Sequence, residues 1–247
     1  MLEMMSACFR LDVVGKKEIS VLADLPEPRP DAIACTKNPG ELGIVPELLD
    51  LDPDQWFIFM VRDPRDVIVS IHRMRPDIYW TNLRLWNFSW DAIRSCRDHE
   101  RLIIIRYEDL VRAPDMVQDA ISRRIPFLKK RLPFSQYHHH SRPSPQSRQA
   151  MHGVRPVNDS SIGTWRRHKA RVAGQLSLHG PVTDVLIELG YEKDDSWLGQ
   201  LEGVTPDISP GRWPDFIPDE ERQEYRQRLE ESLCEYRRKR GLTGRVS

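Results

Sequence analysis

An α/β domain, with a parallel sheet covered by helices, is the fold class this sequence predicts, and three observations carry it. Four short apolar runs, "LDVVG", "AIACT", "WFIFMV" and "RLIIIRY", are continuous rather than alternating, as strands buried on both faces are. Stretches with helical potential separate them, the alternation that builds parallel sheets. At 247 residues the chain is long enough for one large domain with a sizeable core.

Composition narrows the class. The 37 Lys and Arg balance the 37 Asp and Glu, so the charge advertises neither a nucleic-acid nor a membrane-surface partner. The longest apolar runs fall far short of the roughly 18 residues a membrane span needs. Cys8, Cys35, Cys96 and Cys234 are scattered without a CxxC pair, which predicts reduced thiols in a cytosol. The segment "MLEMMSACFR" has an acid at Glu3 and no basic start before an apolar core, so it does not read as a signal peptide.

The elements follow in order. Leu2, Met5 and Phe9 have helical spacing and predict a first helix. "WFIFMV" is a central strand, and the charged knot after it, "RDPRD", lies at the carboxyl edge of the sheet, where α/β folds bind ligands. "DVIVSIH" then opens a helix, with Asp63 placed to cap it and Pro64 in its first turn. An arginine beside free N–H groups is an anion site. Ser70, eight residues after Arg62, is placed about two helical turns along, able to offer its hydroxyl to the same anion. The other reading of the knot is an Arg/Asp salt-bridge cluster tying strand to helix.

Trp86 and Trp90, at i and i+4, read first as packing residues. Residues 74–90 follow the knot and are in a position to line an acceptor pocket. Residues 136–153 are polar, aperiodic and proline-bearing, the pattern of a mobile loop or lid. Within them His138, His139 and His140 are consecutive, and such runs rarely converge on one metal ion. A Pro/Gly-rich connector, residues 203–218, leads to a last helix from about Pro218 to Arg240, with acids at its start and bases at its end. Its stripe of Tyr225, Leu229, Leu233 and Tyr236 either docks on the parent domain or binds a partner.

The string R-x-P-R-D-x-x-x-S, residues 62–70, resembles the 3′-phosphate-binding motif of sulfotransferases. Further segments in the expected order strengthen the likeness: "RLIIIRYEDLVRAP", then "SSIGTWRRH", similar to a late G-x-W loop that closes over the nucleotide, then "LIELGYE". Together they cover about residues 1–195. The resemblance implies a three-layer α/β domain akin to the P-loop nucleotide kinases, spanning 1–199, with 200–247 as connector and C-terminal amphipathic helix. It implies that Arg62 and Ser70 hold the 3′-phosphate of 3′-phosphoadenosine 5′-phosphosulfate, and that Gly163, Trp165 and Arg166 belong to the cofactor-binding set. Asn158, Asp159 and Ser160 stand where many members carry R-K-G, and Arg155 or Arg166 is left to take over that contact.

For the chemistry, "VGKKEIS" resembles the K-E segment of glycan sulfotransferases, which makes Glu18 the base with Lys17 beside it. "CTKNPGEL" resembles the segment whose lysine contacts the bridging oxygen and the sulfonate, which points to Lys37. Lys17 and Glu18 also read as a solvated surface pair. Asn38 neighbours the position where hormone-type members carry a catalytic histidine. The family requires no metal, and no ligand spacing here suggests one.

No glycine-rich G-x-x-R-S-G-T-T loop occurs in the sequence, while "MLEMMSACF" resembles the helix that follows that loop in relatives. The expectation is a fold whose first strand and loop are missing ahead of Met1. The implied activity is sulfuryl transfer to a glycan, lipid or small-metabolite hydroxyl, with a homo-oligomer left open. The alternatives are a non-catalytic nucleotide-binding or scaffold relative, and a kinase of related fold, which the absence of G-x-x-x-x-G-K-[ST] disfavours.

Overall fold

The computed structural model describes residues 1–15, 18–22, 32–72, 75–145, 148–149 and 153–242. The chain divides into two compact units: Met1–Met60 with Ala92–Asn158 and Glu224–Ser247, and Val61–Asp91 with Asp159–Gln223. Among the described residues no helix is long and apolar enough to cross a membrane.

The first unit opens with α1 (Leu2–Cys8). Met4, Met5, Cys8 and Phe9 of this segment enter a core with Ile105, Ile121, Ile125 and Phe134, and the Phe9 and Phe134 rings meet edge to face at 5.7 Å. Strands β1 (Val13–Val14) and β2 (Ala34–Cys35) pair in parallel. A 3₁₀ turn, Pro39–Ile44, is started by the Asn38 side chain accepting from Gly40 N–H at 3.1 Å and leads into α2 (Val45–Leu51). Strand β3 (Phe57–Val61) neighbours β6 (Leu102–Arg106), and α5 (Tyr107–Arg112) and α6 (Pro114–Arg124) follow.

The unit ends with a long helix, Asp219–Arg240, whose Leu233 and Tyr236 are buried against Ile44, Leu48 and Leu51. Tyr236 donates its hydroxyl to the buried Asp52 at 2.5 Å, and Arg240 reaches the same carboxylate at 3.3 Å. The stripe therefore docks on the chain itself, as the first of the two readings has it.

The second unit holds α3 (Pro64–Ile68), a hairpin of β4 (Ile71–His72) and β5 (Arg75–Tyr79), and α4 (Leu83–Ser95). It continues with a 3₁₀ turn at Thr164–Arg167, then α7 (Lys169–His179) and α8 (Thr183–Glu188). Its core is Ile68, Val69, Leu83, Trp165, Val172, Val182, Leu186 and Trp197. Each such side chain fully withdrawn from water contributes about 1.5–3 kcal/mol.

Three differences from the sequence reading have physical causes. The four apolar runs do form strands, but the described strands join as three two-stranded pieces rather than one continuous sheet. Second, the helix after the knot stops at Ile68, because Val67, Ile68, Val69 and Ile71 are β-branched and favour extended backbone. Ser70 therefore lies past that helix, where its carbonyl accepts from Trp80 N–H at 2.7 Å. Third, the expected loop 136–153 contains a helical turn at Tyr137–His140, pinned by the buried Tyr137, whose hydroxyl donates to Arg155 O at 2.7 Å. Residues 146–147 and 150–152 of that segment lie outside the described residues.

The connector is irregular chain, as its composition suggests, but it is held in place. Buried polar groups fasten it to its own unit: Arg171 donates to Ser209 O at 2.7 Å and Asp207 N–H donates to Ala170 O at 2.8 Å. Gly174 permits this approach, since a Cβ there would sit 1.9 Å from Asp207 O.

Candidate functional site

The knot at residues 62–66 is assembled within the second unit. Asp63 caps α3, accepting from Arg65 N–H at 2.9 Å, and its carboxylate also takes the Arg65 guanidinium through Nε at 3.0 Å and Nη2 at 2.7 Å. The remaining edge of Arg65 donates to Glu192 at 2.6 Å. Its flat faces lie against Trp165 at 4.4 Å and Trp197 at 4.7 Å. Burial by itself disfavours the guanidinium charge, but the bonds to Asp63 and Glu192 outweigh it and raise the pKa. Arg65 is thus a buried strut, the salt-bridge reading of the knot. A lysine would lose both the fork and the stacking.

Asp66, 1% exposed, reaches across the chain. One oxygen accepts from Gly163 N–H at 2.7 Å; the other accepts from Trp165 N–H at 2.9 Å and from the Thr164 hydroxyl at 3.0 Å. The G-T-W loop is therefore clamped onto the first turn of α3 by a single carboxylate. Sequence reading missed Asp66, because nothing local marks an acid whose partners lie 97 to 99 residues away.

Arg62 behaves differently from Arg65. Its side chain is 21% exposed and 3.9 Å from Asp66, and Nη2 donates to Ser161 O at 2.5 Å. Its carbonyl accepts from the Trp86 indole at 3.1 Å. Trp86 and Trp90 are buried and stacked with centroids 6.1 Å apart, so they pack, as their spacing predicts. The Ser70 hydroxyl donates to Asp66 O at 3.2 Å and keeps its lone pairs for a further donor.

Gly163 takes a left-handed φ of 74°, and a Cβ there would sit 2.5 Å from Arg166 Nη1. The exposed Arg166 folds back with its guanidinium 4.7 Å from the Trp165 ring. Trp165 itself is 1% exposed. Its ring is committed to the core, and it serves the loop by holding it down. The structure thus brings Arg62, Ser70, Gly163, Trp165 and Arg166 into one unit around Asp66.

Glu18 and Lys37 lie in the first unit. Lys37 O accepts from Ile19 N–H at 3.2 Å, extending the β1–β2 ladder. That register sets the two side chains side by side, with Lys37 Nζ 3.2 Å from Glu18 Oε1 and both more than half exposed. Such a surface pair contributes only ~0–1 kcal/mol and opens easily. Lys17 lies outside the described residues. Among the described residues no group of side chains could hold a metal ion.

The sequence of this chain matches the model of the sulfotransferase family over residues 6–125. The chain carries a sulfotransferase-family region. That region contains the knot, α3 and the Glu18–Lys37 pair. A protein-tyrosine sulfotransferase of Drosophila melanogaster is 26% identical over 208 residues, covering 73% of this chain and 40% of that protein. The chain thus spans about two fifths of the length of this sulfotransferase relative. No solved structure matches.

Proposed function

We propose that the chain is a sulfotransferase that moves the sulfuryl group of 3′-phosphoadenosine 5′-phosphosulfate to an acceptor hydroxyl. The observation that carries the reading is the Asp66 clamp, which fastens the G-T-W loop to the R-x-P-R-D knot at 2.7–3.0 Å. Two segments that the sulfotransferase resemblance assigns to one nucleotide are thereby neighbours in space.

The residues present suit the 3′-phosphate end of that donor. Arg62 and Arg166 supply guanidinium forks, which match phosphate geometry, and Ser70 supplies a hydroxyl. The 5′ end is served in relatives by a glycine-rich loop, a motif this sequence does not contain.

When bound, the donor supplies a sulfuryl group whose transfer makes an S–O bond to the acceptor and breaks the one to phosphate. Glu18 takes the acceptor proton as general base. Lys37 donates to the oxygen that leaves with the phosphate and offsets its growing charge. The ion pair of the two must open for both to act.

Calorimetric titration of the 247-residue chain with adenosine 3′,5′-bisphosphate tests the reading. Arg62→Ala should weaken binding by roughly 2–4 kcal/mol, the loss of a charge-assisted contact. Equal affinity in the two proteins removes Arg62 from the site and the reading with it.

A further inference from the structure

The second unit presents an exposed aromatic and cationic surface that the nucleotide reading does not use. Trp80, at the end of β5, and Trp213, in the connector, are 37% and 44% exposed. Arg212 joins them, its guanidinium 4.9 Å from the Trp80 ring and 5.6 Å from the Trp213 ring. Among the described residues no carboxylate pairs with Arg212.

The connector that carries this surface is held with unusual rigour. Arg212 N–H donates to Tyr79 O at 2.9 Å. The fully buried Asn82 donates to Trp213 O at 2.9 Å and Pro214 O at 3.1 Å, and Arg84 adds a bond to Pro214 O at 2.8 Å. The fully buried Gln175 holds Asp215 at 2.9 Å, as does His179. Fixing each residue of a loop costs about 1–2 kcal/mol of backbone entropy. Here buried polar side chains order a segment whose own large side chains face outward. Ordering an exposed surface before anything binds is what lowers the cost of binding.

We propose that Trp80, Arg212 and Trp213 form a platform for a carboxylated sugar chain, one containing uronic acid residues. Indole faces accept the flat C–H face of a pyranose ring, and the guanidinium edge of Arg212 pairs with a carboxylate through its fork. A peptide strand laid along the connector would need a row of main-chain partners. The main-chain groups at Ser209, Arg212, Trp213 and Pro214 named above already have theirs, so recognition falls to side-chain faces. This deepens the sulfotransferase reading and rests on it in one respect. Trp80 N–H donates to Ser70 O at 2.7 Å, so the platform starts one hydrogen bond from a residue assigned to the donor, and the sugar chain is the acceptor.

The test is a titration of the full chain, without nucleotide, by a tetrasaccharide containing glucuronic acid, followed by intrinsic tryptophan fluorescence. The same tetrasaccharide with its carboxyls reduced to alcohols serves as the neutral comparison. Binding is expected, with Trp213→Ala weakening it about tenfold or more. Arg212→Gln should weaken the carboxylated chain much more than the reduced one. Both side chains are exposed, and unchanged melting temperatures would confirm that the variants fold. No binding, equal affinity in both variants, or saturation by an acidic tyrosine peptide but not by the sugar each overturns the proposal. A parallel titration with adenosine 3′,5′-bisphosphate separates the two ideas. Nucleotide binding without sugar binding sinks the platform alone, and sugar binding without nucleotide binding sinks the donor reading while the platform stands.

Discussion

Asp66 accepts from two backbone N–H groups and a hydroxyl of a distant loop, and the Trp165 N–H among them is buried. Asp66→Ala should destabilise the chain by about 2–4 kcal/mol, since buried donors are left unsatisfied. Urea unfolding midpoints compare the two proteins directly, and an unchanged midpoint would show the clamp to be incidental. Glu18 belongs to the opposite class, an exposed residue whose removal leaves the fold intact. In a protein that turns over, Glu18→Gln should lower turnover about 100-fold or more with nucleotide affinity preserved, because only proton removal in the transition state is lost. Turnover that survives would make Glu18 the solvated half of a surface pair. Arg62 and Arg65 show how little residue type alone decides. Three positions apart in the same knot, one keeps a fifth of its side chain in solvent while the other is buried between two indoles.

At the scale of the element, the connector is irregular and yet firmly held. Nineteen prolines and thirteen glycines in the sequence favour irregular backbone, yet residues 207–215 are tied to α7, β5 and α4 by the bonds described above. The glycine that makes this possible lies inside α7. Alanine is the better helix former by about 1 kcal/mol, so Gly174→Ala would stabilise an isolated helix. In this chain the added methyl would meet Asp207 O at 1.9 Å, and the connector has to leave. The variant should therefore melt at a lower temperature and be cut sooner by protease within residues 203–218. A melting temperature at or above the parent's would mean that the connector is held less tightly than its hydrogen bonds indicate.

For the whole molecule, folding decides which thiols are chemically available. Burial pushes the Cys8 and Cys35 thiols up to about 11 and raises Cys96 as well, whereas Cys234 is exposed. At about pH 8 the thiolate is the reacting species, so Ellman's reagent should modify Cys234 rapidly, Cys35 and Cys96 more slowly, and the buried Cys8 only as the chain opens. Four equal rates would contradict the packing of the first unit, whose core holds Cys8 with Cys35 against it. The sign for stability follows from proton binding. A thiol with a raised folded-state pKa holds its proton where the unfolded chain has lost it, so stability is full below the ordinary thiol value and declines as pH rises toward about 11. Unfolding free energies measured on either side of that window should fall on the alkaline side.

The sequence by itself determined the strands β1, β2, β3 and β6, the cap at Asp63, the packing role of Trp86 and Trp90, the span of the last helix and the sulfotransferase likeness. These rest on local pattern: apolar runs, turn chemistry, helical spacing and ordered motifs. The resemblance singled out Glu18 and Lys37 separately, and the 3.2 Å ion pair between them was not legible in it. Only tertiary structure decided which arginine of the knot is buried, that Asp66 holds the G-T-W loop, and that the connector is fastened with Arg212 against Trp80 and Trp213. Each of these depends on contacts between residues tens to about a hundred positions apart. Such contacts are fixed by the closing of loops and the burial of polar partners, and a reading of neighbours along the chain does not register them.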